Sequence, residues 1–161
     1  SGGTVGYTAS SGSQTVSVQT YNHLTLSGGG TRTAGGNITV NGNFANSVTT
    51  SIGTYTLTIS GTKTNNGTVQ FAGGTNGIVF SDGTVEYDGT VTQTVTAGTY
   101  NHLVFSNSGT KNINSSMTAS GNVTINSGAT VVVANGVTLQ VNGNMTNGGS
   151  LTNDGTIFVG N

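Results

Sequence analysis

The sequence predicts an all-β chain wound as a β-solenoid, a parallel β-helix of about eight coils arranged in two similar units. Three observations point there. The composition suits many short strands, a unit of roughly 80 residues occurs twice, and Asn-Gly and Gly-Gly steps break each unit into brief alternating segments.

Thr, Gly, Asn and Ser make up more than half of the 161 residues. Such a bias often accompanies disorder, but disordered chains usually carry many charges or prolines. This protein has three basic and four acidic side chains, a net charge of −1, no proline and 32% apolar residues. Val, Ile and Leu outweigh the aromatics and alternate with Thr and Ser, as strands require. Without a basic patch, nothing neutralises phosphates, so no nucleic-acid binding is expected. No apolar run reaches the length of a transmembrane helix, and no membrane insertion is expected. The opening SGGTVGY lacks a charged-then-apolar leader, so any export signal is expected to lie outside this sequence. Absence of cysteine excludes disulfide staples and thiolate metal sites.

Along the sequence, GTVGYTASSGSQTVSVQTYNHLTLSGGGTRT from Gly3 is matched by GTVEYDGTVTQTVTAGTYNHLVFSNSGTKN from Gly83. Tyr7 pairs with Tyr87, and then Gln14 with Gln93, Val16 with Val95, Leu24 with Leu103 and Arg32 with Lys111. Further on, GGNITV from Gly35 resembles SGNVTI from Ser120, and NNGTVQFAG from Asn65 resembles NDGTIFVGN from Asn153. The growing offset places a small insertion in the second copy. Residues 1–82 form the first unit and 83–161 the second, stacked continuously on the first.

Within the units, NITVNGNF (from Asn37), TYTLTIS (from Thr54), VTLQVNGNM (from Val137) and GTIFVG (from Gly155) read as short strands with one side-chain set per face. Asn41-Gly42, Asn66-Gly67, Asn76-Gly77, Asn135-Gly136, Asn142-Gly143 and Asn147-Gly148 separate such strands. Asn and Gly supply the positive φ that tight corners need. No window has a helical period.

Two all-β arrangements fit short strands with frequent turns. The alternative to the solenoid is two tandem immunoglobulin-like β-sandwiches, one per unit. A sandwich core wants a large aromatic anchor, whereas this protein has no Trp and only five Phe and five Tyr. A solenoid core is thin enough for Val, Ile, Leu and Thr to fill, and repeated corner Asn residues can bond in ladders along the stack. At about 20 residues per coil, each unit holds about four coils and advances roughly 19 Å.

The grammar GTVxY, then QTV, then TYNHL with S-x-x-GT-[KR], then GN-[IV]-T-[VI], resembles repeat segments of very large secreted surface proteins of Bacteroidota-type bacteria, including gliding and adhesion proteins. More loosely, it is similar to the filamentous-haemagglutinin style of bacterial β-helix. The resemblance covers nearly the whole chain. It implies an extracellular or cell-surface filamentous role and carries no catalytic residues to transfer.

The chemistry-bearing residues are few. In a strand reading of TYNHL, Tyr21, His23 and Thr25 share one face, opposite Asn22, Leu24 and Leu26; Tyr100 and His102 repeat the split against Asn101 and Leu103. About four coils apart, His23 and His102 cannot ligate one ion. They are expected to be surface Tyr/His pairs packing on adjacent coils. The acids are Asp82, Glu86, Asp88 and Asp154. Glu86 and Asp88 alternate onto one face, but the first copy has Gly6 and Thr8 there. Solvated edge charges that discourage lateral aggregation are the expected reading. Calcium binding by Asp82, Glu86 and Asp88 lacks a recognised spacing. The Thr-x-Thr clusters at Thr31/Thr33, Thr54/Thr56/Thr58, Thr62/Thr64 and Thr92/Thr94/Thr96 are irregularly spaced. No catalytic, cofactor-binding or metal-ligating residue is assigned, and neither an enzyme nor a cofactor is expected.

The expected function is therefore a structural or adhesive repeat module of an extracellular bacterial filament or giant cell-surface protein. Its expected partners are neighbouring copies or repeats end to end, with surface glycans as weak contacts. An ice-binding β-solenoid using Thr-x-Thr arrays is the alternative, and a glycan-active β-helix a remote one. Neither SGGTVGY nor GTIFVGN reads as a capping coil, so a fragment of a longer repeat protein or a fibre subunit is expected.

Overall fold

The computed structural model describes residues 2–160, and every strand pairing in it is parallel. Parallel stacking in about eight coils defines the fold as a β-solenoid. It excludes the immunoglobulin-like sandwiches, whose sheets are antiparallel.

Each coil has three sides. The first three coils are β1 (Thr4–Tyr7), β2 (Gln14–Val16) and β3 (Thr20–Tyr21); β4 (His23–Leu26), β5 (Thr31–Ala34) and β6 (Ile38–Val40); β7 (Phe44–Asn46), β8 (Thr49–Gly53) and β9 (Leu57–Ile59). The fourth begins with β10 (Lys63–Asn65) and β11 (Thr68–Phe71) and is completed without a strand. The remaining coils are β12 (Thr84–Tyr87), β13 (Gln93–Thr94) and β14 (Thr99–Tyr100); β15 (His102–Phe105), β16 (Thr110–Ile113) and β17 (Met117–Ala119); β18 (Val123–Ile125), β19 (Thr130–Val133) and β20 (Thr138–Val141); β21 (Met145–Asn147), β22 (Ser150–Asn153) and β23 (Thr156–Val159).

Period-two patterning builds each side. In β4, Leu24 and Leu26 are buried while His23 and Thr25 face outward; β15 repeats this with Leu103 and Phe105 inside. Partners in adjacent coils are 16 to 22 residues apart, from Thr68↔Thr84 to Val123↔Met145. The thin core is a stack of like residues, such as Val69, Val85, Leu103 and Val123 in register along one sheet.

The two units do not share a rotational setting. Sheet order runs β1-β4-β7-β10 on the first side and β2-β5-β8-β11 on the second, but the second continues β12-β15-β18-β21. The first strand of unit two thus sits on the second strand of unit one's last coil. Residues 72–83 carry the backbone there. The Ala72 and Gly73 amides donate to the Gly53 carbonyl (2.8 and 3.1 Å), covering the third side. Phe80 then packs 5.8 Å from the Phe44 ring, and the Asn65 amide donates to Asp82 Oδ2 (2.9 Å), which covers the first side again. The shift follows from the side chains available. Val85 and Tyr87 need an apolar-x-apolar platform, which Val69 and Phe71 of β11 provide; β10 offers Lys63 and Asn65 at the corresponding positions. The Phe71–Tyr87–Phe105 rings then stack across the junction at 6.2 and 6.1 Å. From Thr4 to Thr84 the backbone makes four coils and one further side, about 21 Å of rise at about 4.8 Å per coil rather than the expected four coils and 19 Å.

Side-chain bonds also correct the alignment of the two copies. The Asn43 amide donates to His23 Nδ1 and the Asn122 amide to His102 Nδ1, both at 2.9 Å. Asn122 is therefore the counterpart of Asn43, and the likeness of SGNVTI to GGNITV is one side out of phase. The insertion lies in the seventh coil, where Val123 and Met145 are partners, three residues further apart than Phe44 and Lys63.

The Asn-Gly steps work differently from the expectation of positive φ. Among their glycines only Gly136 has positive φ (75°). At Gly42 and Gly67 the coils approach too closely for a side chain: a Cβ on Gly42 would collide with the Asn22 carbonyl oxygen, and one on Gly67 with that of Val48. Among the described residues the one non-glycine with positive φ is Asn107 (61°), at the position that Gly28 (91°) holds in unit one.

Candidate functional site

The TYNHL segments are corners. Tyr21 and Tyr100 end one strand, Asn22 and Asn101 turn, and His23 and His102 begin the next strand. Tyrosine and histidine consequently point opposite ways: Tyr21 is 1% exposed and Tyr100 0%, whereas both histidines are half-buried on the outside. The expected surface Tyr/His pair is corrected here, because the corner at Asn22 breaks the strand alternation that the reading assumed. His23 and His102 also lie on different sheets, so they form no joint site. Each imidazole accepts the next coil's Asn amide at Nδ1, which places its proton on Nε2. The ladder continues upward, with Asn43 Oδ1 accepting the Thr62 amide (3.4 Å) and Asn122 Oδ1 the Asn144 amide (3.0 Å).

Inside each corner is a closed tyrosine relay. The Ser17 amide donates to the Tyr7 hydroxyl (2.9 Å), the two hydroxyls of Tyr7 and Tyr21 are 2.9 Å apart, and Tyr21 donates to the Ser17 carbonyl (2.7 Å). Thr96, Tyr87 and Tyr100 repeat it at 3.0, 3.0 and 2.6 Å. Burial, reinforced by the bond from Tyr7, pushes the Tyr21 phenol up to about 12; burial also raises that of Tyr100, with Tyr87 adding to it. The raised Tyr21 and Tyr100 hydroxyls serve as structural donors to the Ser17 and Thr96 carbonyls.

Arg32 and Lys111 are fully buried, which their polarity did not foretell. Arg32 donates to the carbonyls of Tyr7 (3.1 Å), Ala9 (2.9 Å), Gly29 (2.9 Å), Thr31 (3.5 Å) and Ser27. Lys111 Nζ donates to those of Gly89 (2.9 Å), Asn107 (3.1 Å), Gly109 (2.8 Å) and Ser106. Each cation thus ties two successive loops through main-chain oxygens. Gln14 and Gln93 lie beside them in register: Gln14 accepts the Ala9 amide, and Gln93 accepts the Gly89 amide while donating to the Phe71 and Gly73 carbonyls one coil earlier. Burial lowers the Lys111 ammonium below the usual lysine range, which nearby Asp88 partly opposes. A pairing of Arg with Lys at matched positions was the available signal, since a surface position need not keep a cation.

Buried Asn46 and Asn65 stack as a pair, Asn46 Nδ2 donating to Asn65 Oδ1 (2.8 Å) while Thr50 donates to Asn46 Oδ1 (2.8 Å). Asn ladders are therefore present inside the coil as well as at corners.

Of the acids, Glu86 and Asp88 are not on a sheet edge. Glu86 is in β12, fourth from one end of the eight-stranded order, and accepts Gln70 Nε2 (2.9 Å) and the Ser106 hydroxyl (2.5 Å). The edge-charge expectation fails because β11 of the first unit and β15 of the second flank it in the sheet. Burial and the Glu86 charge raise the Asp88 carboxyl. Among the described residues, no three His, Cys, Asp or Glu side chains converge as a metal site. A surface hollow of about 310 Å³ over Thr99, Ser116, Met117, Thr118, Thr138 and Gln140 contains no titratable group. The Thr-x-Thr clusters scatter over different sides, yet register creates an unforeseen row: Thr31, Thr49, Thr68 and Thr84 stack outward in four successive coils.

No family model, curated protein or solved structure matches this protein.

Proposed function

We propose that this protein is a structural or adhesive repeat module of an extracellular filament or giant surface protein, acting by axial extension. The observation that carries the reading is the junction between units. There β12 stacks on β11 as any coil stacks on the next, with the same parallel register and a continuous aromatic core. Units added this way lengthen a rod without a cap or linker, and coil-to-coil hydrogen bonds carry load along it. Neighbouring repeats end to end are its partners. The low charge and outward Thr, Asn and Ser rows suit weak, repeated contact with glycans or adjacent rods.

Electron microscopy of the native material tests this. Uniform fibres should diffract with an axial repeat of about 62 Å, three units of four and one-third coils at about 4.8 Å each. Discrete globular particles would overturn the reading. The Thr31–Thr49–Thr68–Thr84 row favours ice binding as a second reading. Thermal hysteresis in concentrated protein would support it, and its absence would remove it.

A further inference from the structure

An Asn-Gly step is a reactive element as well as a corner. The Gly amide nitrogen can attack the carboxamide carbon of the Asn side group, forming a new C–N bond and a succinimide ring while the original carboxamide C–N bond breaks and ammonia leaves. Water then opens the ring at either carbonyl, giving aspartate or isoaspartate; it is the only co-reactant. The reaction requires a Gly amide free of other bonds and an Asn carboxamide free to swing over it.

Most of the six steps in this protein fail one requirement. The Gly42 amide donates to the Asn22 carbonyl (2.6 Å), Gly143 to Gly121 (3.1 Å) and Gly148 to Ile125 (2.7 Å), all in the coil below. Gly67 donates to Asn65 Oδ1 (3.3 Å). Asn76 is held by Nδ2 donating to the Gly53 and Tyr55 carbonyls (2.8 and 2.6 Å), and Gly77 is buried.

Asn135-Gly136 differs in every respect. Both residues are exposed, in a turn closed by the Val137 amide donating to the Ala134 carbonyl (3.1 Å). Gly136 has φ 75°, and nothing lies within 4 Å of where its Cβ would be. Among the described residues, no hydrogen bond engages the Gly136 amide or the Asn135 carboxamide. The turn lies in the seventh coil, which is three residues longer than its counterpart. The coil's other outlying turn is protected, since Asn126 Nδ2 donates to the Ser106 hydroxyl (2.8 Å).

We propose that Asn135 is a self-modification site, deamidating through Gly136 to aspartate and isoaspartate. The change adds one negative charge to a protein whose net charge is −1. Isoaspartate also lengthens the backbone by one methylene immediately before β20.

The test incubates the full folded protein at mildly alkaline pH beside a sample in denaturant, and maps both by digestion and mass spectrometry. In the folded sample Asn135 should convert at least about tenfold faster than any other Asn-Gly step, equivalent to about 1.4 kcal/mol of extra protection elsewhere. In denaturant the six rates should converge. Asn135→Gln should remove the fast conversion with the far-ultraviolet dichroism unchanged. Equal rates in the folded sample, fast conversion surviving in Asn135→Gln, or an Asn135 that converts only in denaturant would each overturn the proposal.

Discussion

Replacing Lys111 with methionine isolates the buried cation, because the residue keeps its length and apolar stem while losing the ammonium. Four main-chain oxygens, of Gly89, Ser106, Asn107 and Gly109, then lose their donor inside a site with 0% exposure. Hydrogen bonds to a charged group contribute about 1.5–3 kcal/mol each, but three protons serve four acceptors and removing the ion also relieves its desolvation. The net loss is expected at about 3–5 kcal/mol, the range for breaking a buried ionic contact from one side. For a protein of this size that lowers the melting temperature by roughly 6–20 °C. Thermal and denaturant unfolding followed by circular dichroism read it directly. Hydrogen exchange should place the loosening in the loops around Gly89 and Asn107, which the ammonium joins. Lys63→Met, at an exposed lysine, should change stability by less than about 0.5 kcal/mol. A Lys111→Met variant as stable as the Lys63→Met control would refute the idea that the ammonium pins these loops.

His23→Ala and His102→Ala should each cost about 0.5–1.5 kcal/mol through the lost Asn43 and Asn122 bonds. Their double variant should be additive within about 0.5 kcal/mol in denaturant unfolding; larger coupling would mean a joint site. Asn107→Ala and Asn107→Gly both lose the bond from Asn107 Nδ2 to the Asp88 carbonyl (2.6 Å), but Asn107→Ala should be about 1–2 kcal/mol the less stable because of the left-handed backbone, so equal melting temperatures for the two would contradict the backbone argument. Asp88→Asn should raise the melting temperature at neutral pH. The folded Asp88 carboxyl is raised above its ordinary 3.8, so the protonated form's advantage is full below that value and is lost as pH rises through the folded one. The gain from the substitution should accordingly shrink as pH falls toward 3.8, and a gain that grew with acidification would reverse the assignment.

The architecture was legible because a solenoid repeats its local rules: alternation in TYTLTIS or VTLQV sets inside and outside wherever the strand falls. Phase was not legible. Sequence likeness matched GGNITV to SGNVTI, yet bonding to the histidines makes Asn43 the counterpart of Asn122, since corner chemistry recurs on every side of every coil. TYNHL misled for a related reason, because alternation holds only within a strand and Asn22 is a corner. Arg32 and Lys111 were aligned correctly but not recognised as interior, as polarity argues for solvent unless the oxygens that enclose the charge are known. Most of each enclosure is local, and the rest comes from loops more than twenty residues away, at Tyr7 and Ala9 for Arg32 and at Gly89 for Lys111.

A unit of four whole coils would set every His corner of an array on one side of the rod. The extra side instead turns the second unit by a third of a revolution from the first, and under the proposed filament two further units added by the same junction would present the corner in all three directions. This setting is not imposed by the length of the repeat alone. It requires that the incoming Val85 and Tyr87 find Val69 and Phe71 beneath them, and that 72–83 be long enough to cover two sides first. In the proposed rod such an arrangement would leave no roll angle that hides the repeated surface, and binding would sum over units without a preferred face. A flat ice-binding plane asks for the opposite, one side kept in register over many coils. The Thr31–Thr49–Thr68–Thr84 row meets that demand only up to the next coil, where His102 replaces threonine in the same register. The rotation between units thus weighs toward the filament and against the plane.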